Sequence, residues 1–123
     1  MTDIRSHRDL IVWQKAMDLA EIVYQLSAKF PATETYRLCA QVTRAAASVP
    51  ANIAEGSARG SRRDYSNFLS IAKGSLMETE TFLMLAVRLR YISQTEAATA
   101  FDLLTEISKM LTSLRSRLRE DEK

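Results

Sequence analysis

Three arginines crowd a short stretch of this 123-residue chain. In SVPANIAEGSARGSRRDY, residues 48–65, Arg59, Arg62 and Arg63 follow a proline and straddle the second of two glycines. Arg62 and Arg63 fall where the next helical pattern opens, a position at which the helix dipole disfavours positive charge. Asp64 is the local compensation. Unsatisfied N–H groups at a helix start and converging guanidinium groups make an anion site, and phosphate of an RNA backbone is the simplest ligand. The other reading is a solvated loop whose arginines pair with acidic residues of a neighbouring subunit.

Carboxylates offer a second chemistry. Glu78 and Glu80 lie close together in LMETETF, and Glu55 precedes the arginine cluster. Glu78 falls on the stripe of Ile71, Ser75, Phe82, Leu85 and Leu89, which should be buried. A buried carboxylate needs a partner, and Arg44 on the preceding helix is the candidate. A general acid or metal ligand is the alternative role, but no second catalytic group accompanies it. His7 is the one histidine and Cys39 the one cysteine, too few for a zinc site, and the Glu-x-x-His pairs of di-iron bundles are absent. With no Gly-rich phosphate loop either, nucleophilic and phosphoryl-transfer chemistry lack machinery. Cys39 reads as a small core residue. The expectation is a protein that is not an enzyme and uses no cofactor, metal or small-molecule substrate.

The elements that must position these groups are helical. Three glycines and two prolines are too few for a turn-rich β protein. Polar residues Gln14, Asp18, Glu21, Gln25 and Lys29 recur every three or four positions, with apolar residues nearly everywhere else. Phe30-Pro31 ends this helix. Arg37, Gln41, Arg44, Ser48, Asn52 and Glu55 form the polar stripe of the second helix, opposite Leu38, Val42, Ala46, Val49 and Ile53. Pro50 either bends that helix or breaks it, and one of Gly56 and Gly60 should supply a left-handed cap. Ser61-x-x-Asp64 opens the third helix and the capping box Ser93-x-x-Glu96 opens the fourth. Phe101, Leu104, Ile107, Leu111, Leu114 and Leu118 line the fourth, with Arg115, Arg117 and Arg119 near its C-terminal dipole. The spacing predicts helices over about 10–29, 34–58, 62–90 and 94–118, in one all-α domain spanning 1–123. Short links predict an antiparallel up-down-up-down four-helix bundle. The first helix has more apolar surface than a monomeric bundle buries, so a homo-oligomer is expected, a merely greasy monomer being the alternative.

Bulk properties narrow the partners. The net charge is +2, and arginine outnumbers lysine 12 to 5, a composition that permits nucleic-acid contact without demanding it. No apolar run approaches the roughly 20 residues of a membrane span, and MTDIRSHRDL lacks the features of a secretory leader. A lone cysteine suits a reducing cytoplasm.

Two segments carry a resemblance. DLIVWQKAMDLA, and RAAASVPANIAEGSARGSRRDYSNFLSIAKGSLMETET after it, resemble the bacterial four-helix-bundle family named for the 23S rRNA intervening-sequence protein. The accessory protein of diversity-generating retroelements belongs to the same group. The most specific positions are Pro50, Asn52, Ile53, Ala54, Glu55 and Gly56, then Gly74, Ser75, Leu76, Glu78 and Glu80. The resemblance implies an antiparallel bundle assembled into a ring-shaped homopentamer without catalysis. Its retroelement members bind a reverse transcriptase and nucleic acid. It also implies that Arg44, Asn52, Glu55 and Glu78 form a structural polar network. The expected function is binding to RNA or to an RNA-handling protein; the alternative is a scaffold module with no nucleic-acid partner.

Overall fold

The computed structural model describes residues 7–120, with the side chains of residues 9 and 120 outside the description. Four α-helices account for most of it: α1 (Ile11–Ser27), α2 (Leu38–Ser57), α3 (Arg62–Arg88) and α4 (Gln94–Glu120). There is no strand among the described residues. Short 3-10 turns occupy His7–Asp9 and Ala32–Glu34. Each helix packs against two others: α2 against α1 and α3, and α4 against α1 and α3. The core lies on the common axis and includes Leu19, Val23, Val42, Ile53, Leu69, Leu76, Leu104 and Ile107, all fully buried. Each such side chain contributes about 1.5–3 kcal/mol by leaving water.

Local chemistry explains the helix ends. At the start of α3, Ser61 accepts a hydrogen bond from the Asp64 backbone N–H at 3.1 Å, satisfying one of the orphan donors. At the start of α4 the capping box closes in both directions. The Ser93 hydroxyl accepts from the Glu96 N–H at 3.0 Å, and the Glu96 carboxylate accepts from the Ser93 N–H at 2.9 Å.

The second helix differs from expectation at its start and at its end, and it decides the choice left open at Pro50. It begins at Leu38 rather than near residue 34, because Glu34 closes a 3-10 turn and then caps the helix from outside. The Glu34 carboxylate accepts from the Leu38 N–H at 3.1 Å and from the Tyr91 hydroxyl at 3.3 Å. The helix then runs unbroken through Pro50, which is buried. Nor does a left-handed glycine end it, since no glycine among the described residues has positive φ. The Ala58 N–H bonds back to Ala54 and Glu55, and the Arg59 N–H to Gly56. Tightened turns therefore close the helix without Gly60.

Gly56 has a different task. A Cβ built there would stand 2.8 Å from the Phe68 Cβ and 3.1 Å from the Tyr65 ring. The last turns of α2 thus press directly on the first turns of α3, and α2 and α3 share the most extensive helix packing among the described residues.

Candidate nucleic-acid interface and the α2–α3 polar groove

The three arginines of the α2–α3 turn occupy different environments. Arg59 is held: its guanidinium donates to the Glu55 carboxylate at 2.6 Å and lies 4.9 Å from the centre of the Phe68 ring. An i,i+4 ion pair and a cation–π contact together fix its direction along the end of α2. Arg62 and Arg63 occupy the first turn of α3 and are exposed. Glu55, expected in an internal network, is instead the exposed partner of Arg59.

The pair expected between Arg44 and Glu78 does not form. Both side chains are exposed, and among the described residues no ion pair joins them. The reason is helical phase. On α3 the buried face runs through Leu69, Ala72, Ser75, Leu76, Thr79, Leu83 and Ala86. Glu78 precedes Thr79 by one residue and so lies about 100° away around the helix. Most of the stripe that was expected to be buried turns outward, although Ser75 is buried: Ile71 is 52% exposed, Leu85 42% and Leu89 48%. Phe82 is half-buried.

A polar network does cross between α2 and α3, built on hydroxyls. Asn52 donates to the Ser48 carbonyl at 2.8 Å and to the Ser48 hydroxyl at 2.9 Å, and Ser48 and Ser75 share a hydrogen bond of 2.9 Å. Thr79, fully buried, donates back to the Ser75 carbonyl at 2.8 Å. Of the residues expected in the network, Asn52 belongs to it. Arg44 and Glu78 line the open groove beside it, with Gln41, Ser48, Ser75 and Phe82. Ser48 was read on the polar stripe of α2 and Ser75 on a buried stripe of α3, but their bond was missed because spacing along one helix does not give the register of its partner.

Cys39 and His7 make structural contacts. Cys39 is half-buried and its thiol donates to the Ser27 carbonyl at 3.4 Å. Burial, aided by the negative charge of Glu34, pushes that thiol above its ordinary range, away from the thiolate a nucleophile needs. His7 is half-buried in the first 3-10 turn, its ring edge-on to Trp13 with centres 5.0 Å apart. Among the described residues no cluster of histidine, cysteine and carboxylate side chains could hold a metal ion. No helix among them is long and apolar enough to cross a membrane.

What these features define is an all-helical, four-helix protein whose polar side chains form caps, interhelical bonds and a basic turn. The chain belongs to the 23S rRNA-intervening sequence protein family, whose model matches residues 8–113. It is similar to a crystal structure of a protein with unknown function from the S23 ribosomal protein family of Bacteroides thetaiotaomicron. The TM-score is 0.78 and the identity 31%, over 85% of this chain and 98% of that one. No curated protein matches the chain.

Proposed function

We propose that this chain is a non-enzymatic, homo-oligomeric bundle protein of the cytoplasm that binds RNA or an RNA-handling protein such as a reverse transcriptase. The observation that carries the binding half is the exposed pair Arg62 and Arg63 at the opening of α3, beside an Arg59 oriented by Glu55 and Phe68. Cations at a helix start are unfavourable for the helix alone, and a bound phosphate removes that penalty. The family's name, which refers to an intervening sequence of 23S rRNA, agrees with an RNA setting.

An antiparallel up-down arrangement accounts for three cross-helix contacts. Lys29, just past the end of α1, bonds Glu96 near the start of α4 at 2.7 Å. Lys15, near the start of α1, meets Glu106 at 2.9 Å. Lys73 on α3 reaches Thr112, in the second half of α4, at 2.6 Å.

Self-assembly has its own support in the outward apolar residues of α3 and in Met17 and Tyr24 of α1, each more than a third exposed. The groove of Arg44 and Glu78 gives an assembling copy two opposite charges to pair with. A ring of five copies is the form that the family resemblance implies. These apolar residues also favour a second reading, in which the protein is a scaffold with no nucleic-acid partner.

Fluorescence anisotropy with labelled RNA across a salt series decides between them. Replacing Arg59, Arg62 and Arg63 together by Ala should weaken binding and flatten the salt dependence by about 0.7 for each phosphate no longer neutralised. No binding at low salt by the unaltered protein would leave the scaffold reading.

A further inference from the structure

The second half of α4 is chemically unlike the rest of the molecule. Residues 107–119 contain Lys109, Arg115, Arg117 and Arg119, four hydroxyl side chains, and no carboxylate. Spacings of three and four place Lys109, Thr112, Ser113, Ser116 and Arg117 along one side of the helix, and all five are exposed. With Ser108 they line an open depression of about 570 Å³. On the other side of the Lys109–Arg117 ridge runs an apolar trough of about 400 Å³, walled by Leu10, Ile11, Met110 and Leu114.

Among the described residues the cations on this face lack acidic partners. Among the described residues neither Lys109 nor Arg117 forms an ion pair. The nearest carboxylate before the segment, Glu106, is taken by Lys15 at 2.9 Å. Lys73 approaches from α3 and donates to a hydroxyl, Thr112, at 2.6 Å. Complementing the helix dipole explains cations in the last turn, Arg117 and Arg119. It does not explain Lys109 or Lys73, which lie outside that turn. Because α4 packs against α1 and α3 and not against α2, this face also stands apart from the Arg44–Glu78 groove.

We propose that this face of α4 binds single-stranded RNA. Phosphates lie along Lys73, Lys109, Arg117 and the hydroxyls between them, and bases turn over the ridge into the apolar trough. Lys109 and Arg117 are eight residues apart, about 12 Å along the helix axis. A file of cations and hydroxyl donors over that distance suits a repeating phosphate chain. A bilayer-binding helix would instead present a protruding row of large apolar side chains beneath its cations. Here the apolar side chains line a trough between α1 and α4, and of them Ile11 alone is more than a third exposed. The proposal rests on the RNA reading above and adds a surface distinct from the α2–α3 turn.

The test uses the full chain and a labelled oligouridine in a salt series. It compares Lys109→Gln/Arg117→Gln, Ser116→Glu, and Arg62→Gln/Arg63→Gln with the unaltered protein, each checked for an unchanged melting temperature. With two fewer phosphates neutralised, the slope of log affinity against log salt should fall by about 1.4 and low-salt binding should weaken by ~tenfold or more. Ser116→Glu keeps both cations and should weaken binding by placing a carboxylate among the phosphates. If the Lys109/Arg117 variant keeps the original slope while the Arg62/Arg63 variant loses it, the α4 site is wrong and the RNA reading stands. If the unaltered protein retains no RNA at low salt, both are wrong. Binding to phosphatidylglycerol vesicles without RNA retention, abolished in the Lys109/Arg117 variant, would reassign the face to a lipid surface.

Discussion

Arg90 carries the left-handed backbone that ends α3, with φ of 62°. The Tyr91 N–H bonds to the Ala86 carbonyl and the Arg90 N–H to the Val87 carbonyl, each at 3.0 Å, the double bond pattern in which glycine is the usual residue. An L side chain in that conformation costs about 1 kcal/mol. Arg90→Gly should therefore raise stability by roughly that amount, read as a higher denaturation midpoint at unchanged slope. Gly56 is the opposite case, since its missing side chain lets α2 approach Phe68 and Tyr65. Gly56→Ala should destabilise by about 1–3 kcal/mol although alanine favours helix, because the packing clash outweighs propensity. An equal or higher midpoint in that variant would mean that the two helices separate easily.

At the scale of elements, the joints between helices hold the polar chemistry. Glu34 ties the start of α2 to Tyr91, just after α3, and the Phe30 and Tyr91 rings meet at 5.6 Å between centres. Glu96 ties the start of α4 to Lys29, just past the end of α1. The hydrogen bond from Lys29, followed by those from Ser93, lowers the Glu96 carboxyl from an ordinary 4.5 to about 2. The unfolded chain therefore binds the proton more readily, so this group's contribution is complete above about pH 4.5 and disappears as pH falls towards 2. Glu96→Gln should flatten the acid side of the stability profile across that window. Added salt should shrink the difference between the two proteins, because both partners are substantially exposed. An unchanged profile would remove Glu96 from the acid response.

For the whole molecule, α3 is apolar on two sides. Leu69, Leu76 and Leu83 serve the core, while Ile71, Leu85 and Leu89 remain outside it. Gly74 adds an open notch, with nothing within 4 Å of a Cβ built there. If the outer side is where copies meet, Leu85→Glu should lower the mass measured by light scattering while far-UV circular dichroism keeps its helical amplitude. A mass that is already monomeric in the unaltered protein would remove this interface. A loss of helix in the variant would show that Leu85 supports the fold itself.

Helical class, the number of helices and the caps of α3 and α4 were legible in the chain alone. Local spacing, propensity and short-range hydrogen bonds determine them, as the Ser61 and Ser93 caps illustrate. The buried stripe of α4 was legible for the same reason, since it has one apolar side. On α3 the same reasoning went wrong for the stripe that carries Glu78, although Leu69, Ala72, Leu76 and Leu83 are apolar and buried. Two apolar stripes compete there, and periodicity cannot tell which one meets the core. That choice placed Glu78 inside and paired it with Arg44, whereas packing against α2 turned Thr79 inward and left Glu78 outside; Ser75, on the expected stripe, is buried. Tertiary structure likewise decided that Gly56 is a contact point and that Arg90, an arginine, takes the left-handed turn. Both depend on where a second helix or its following loop lies, and a one-dimensional pattern does not contain that distance.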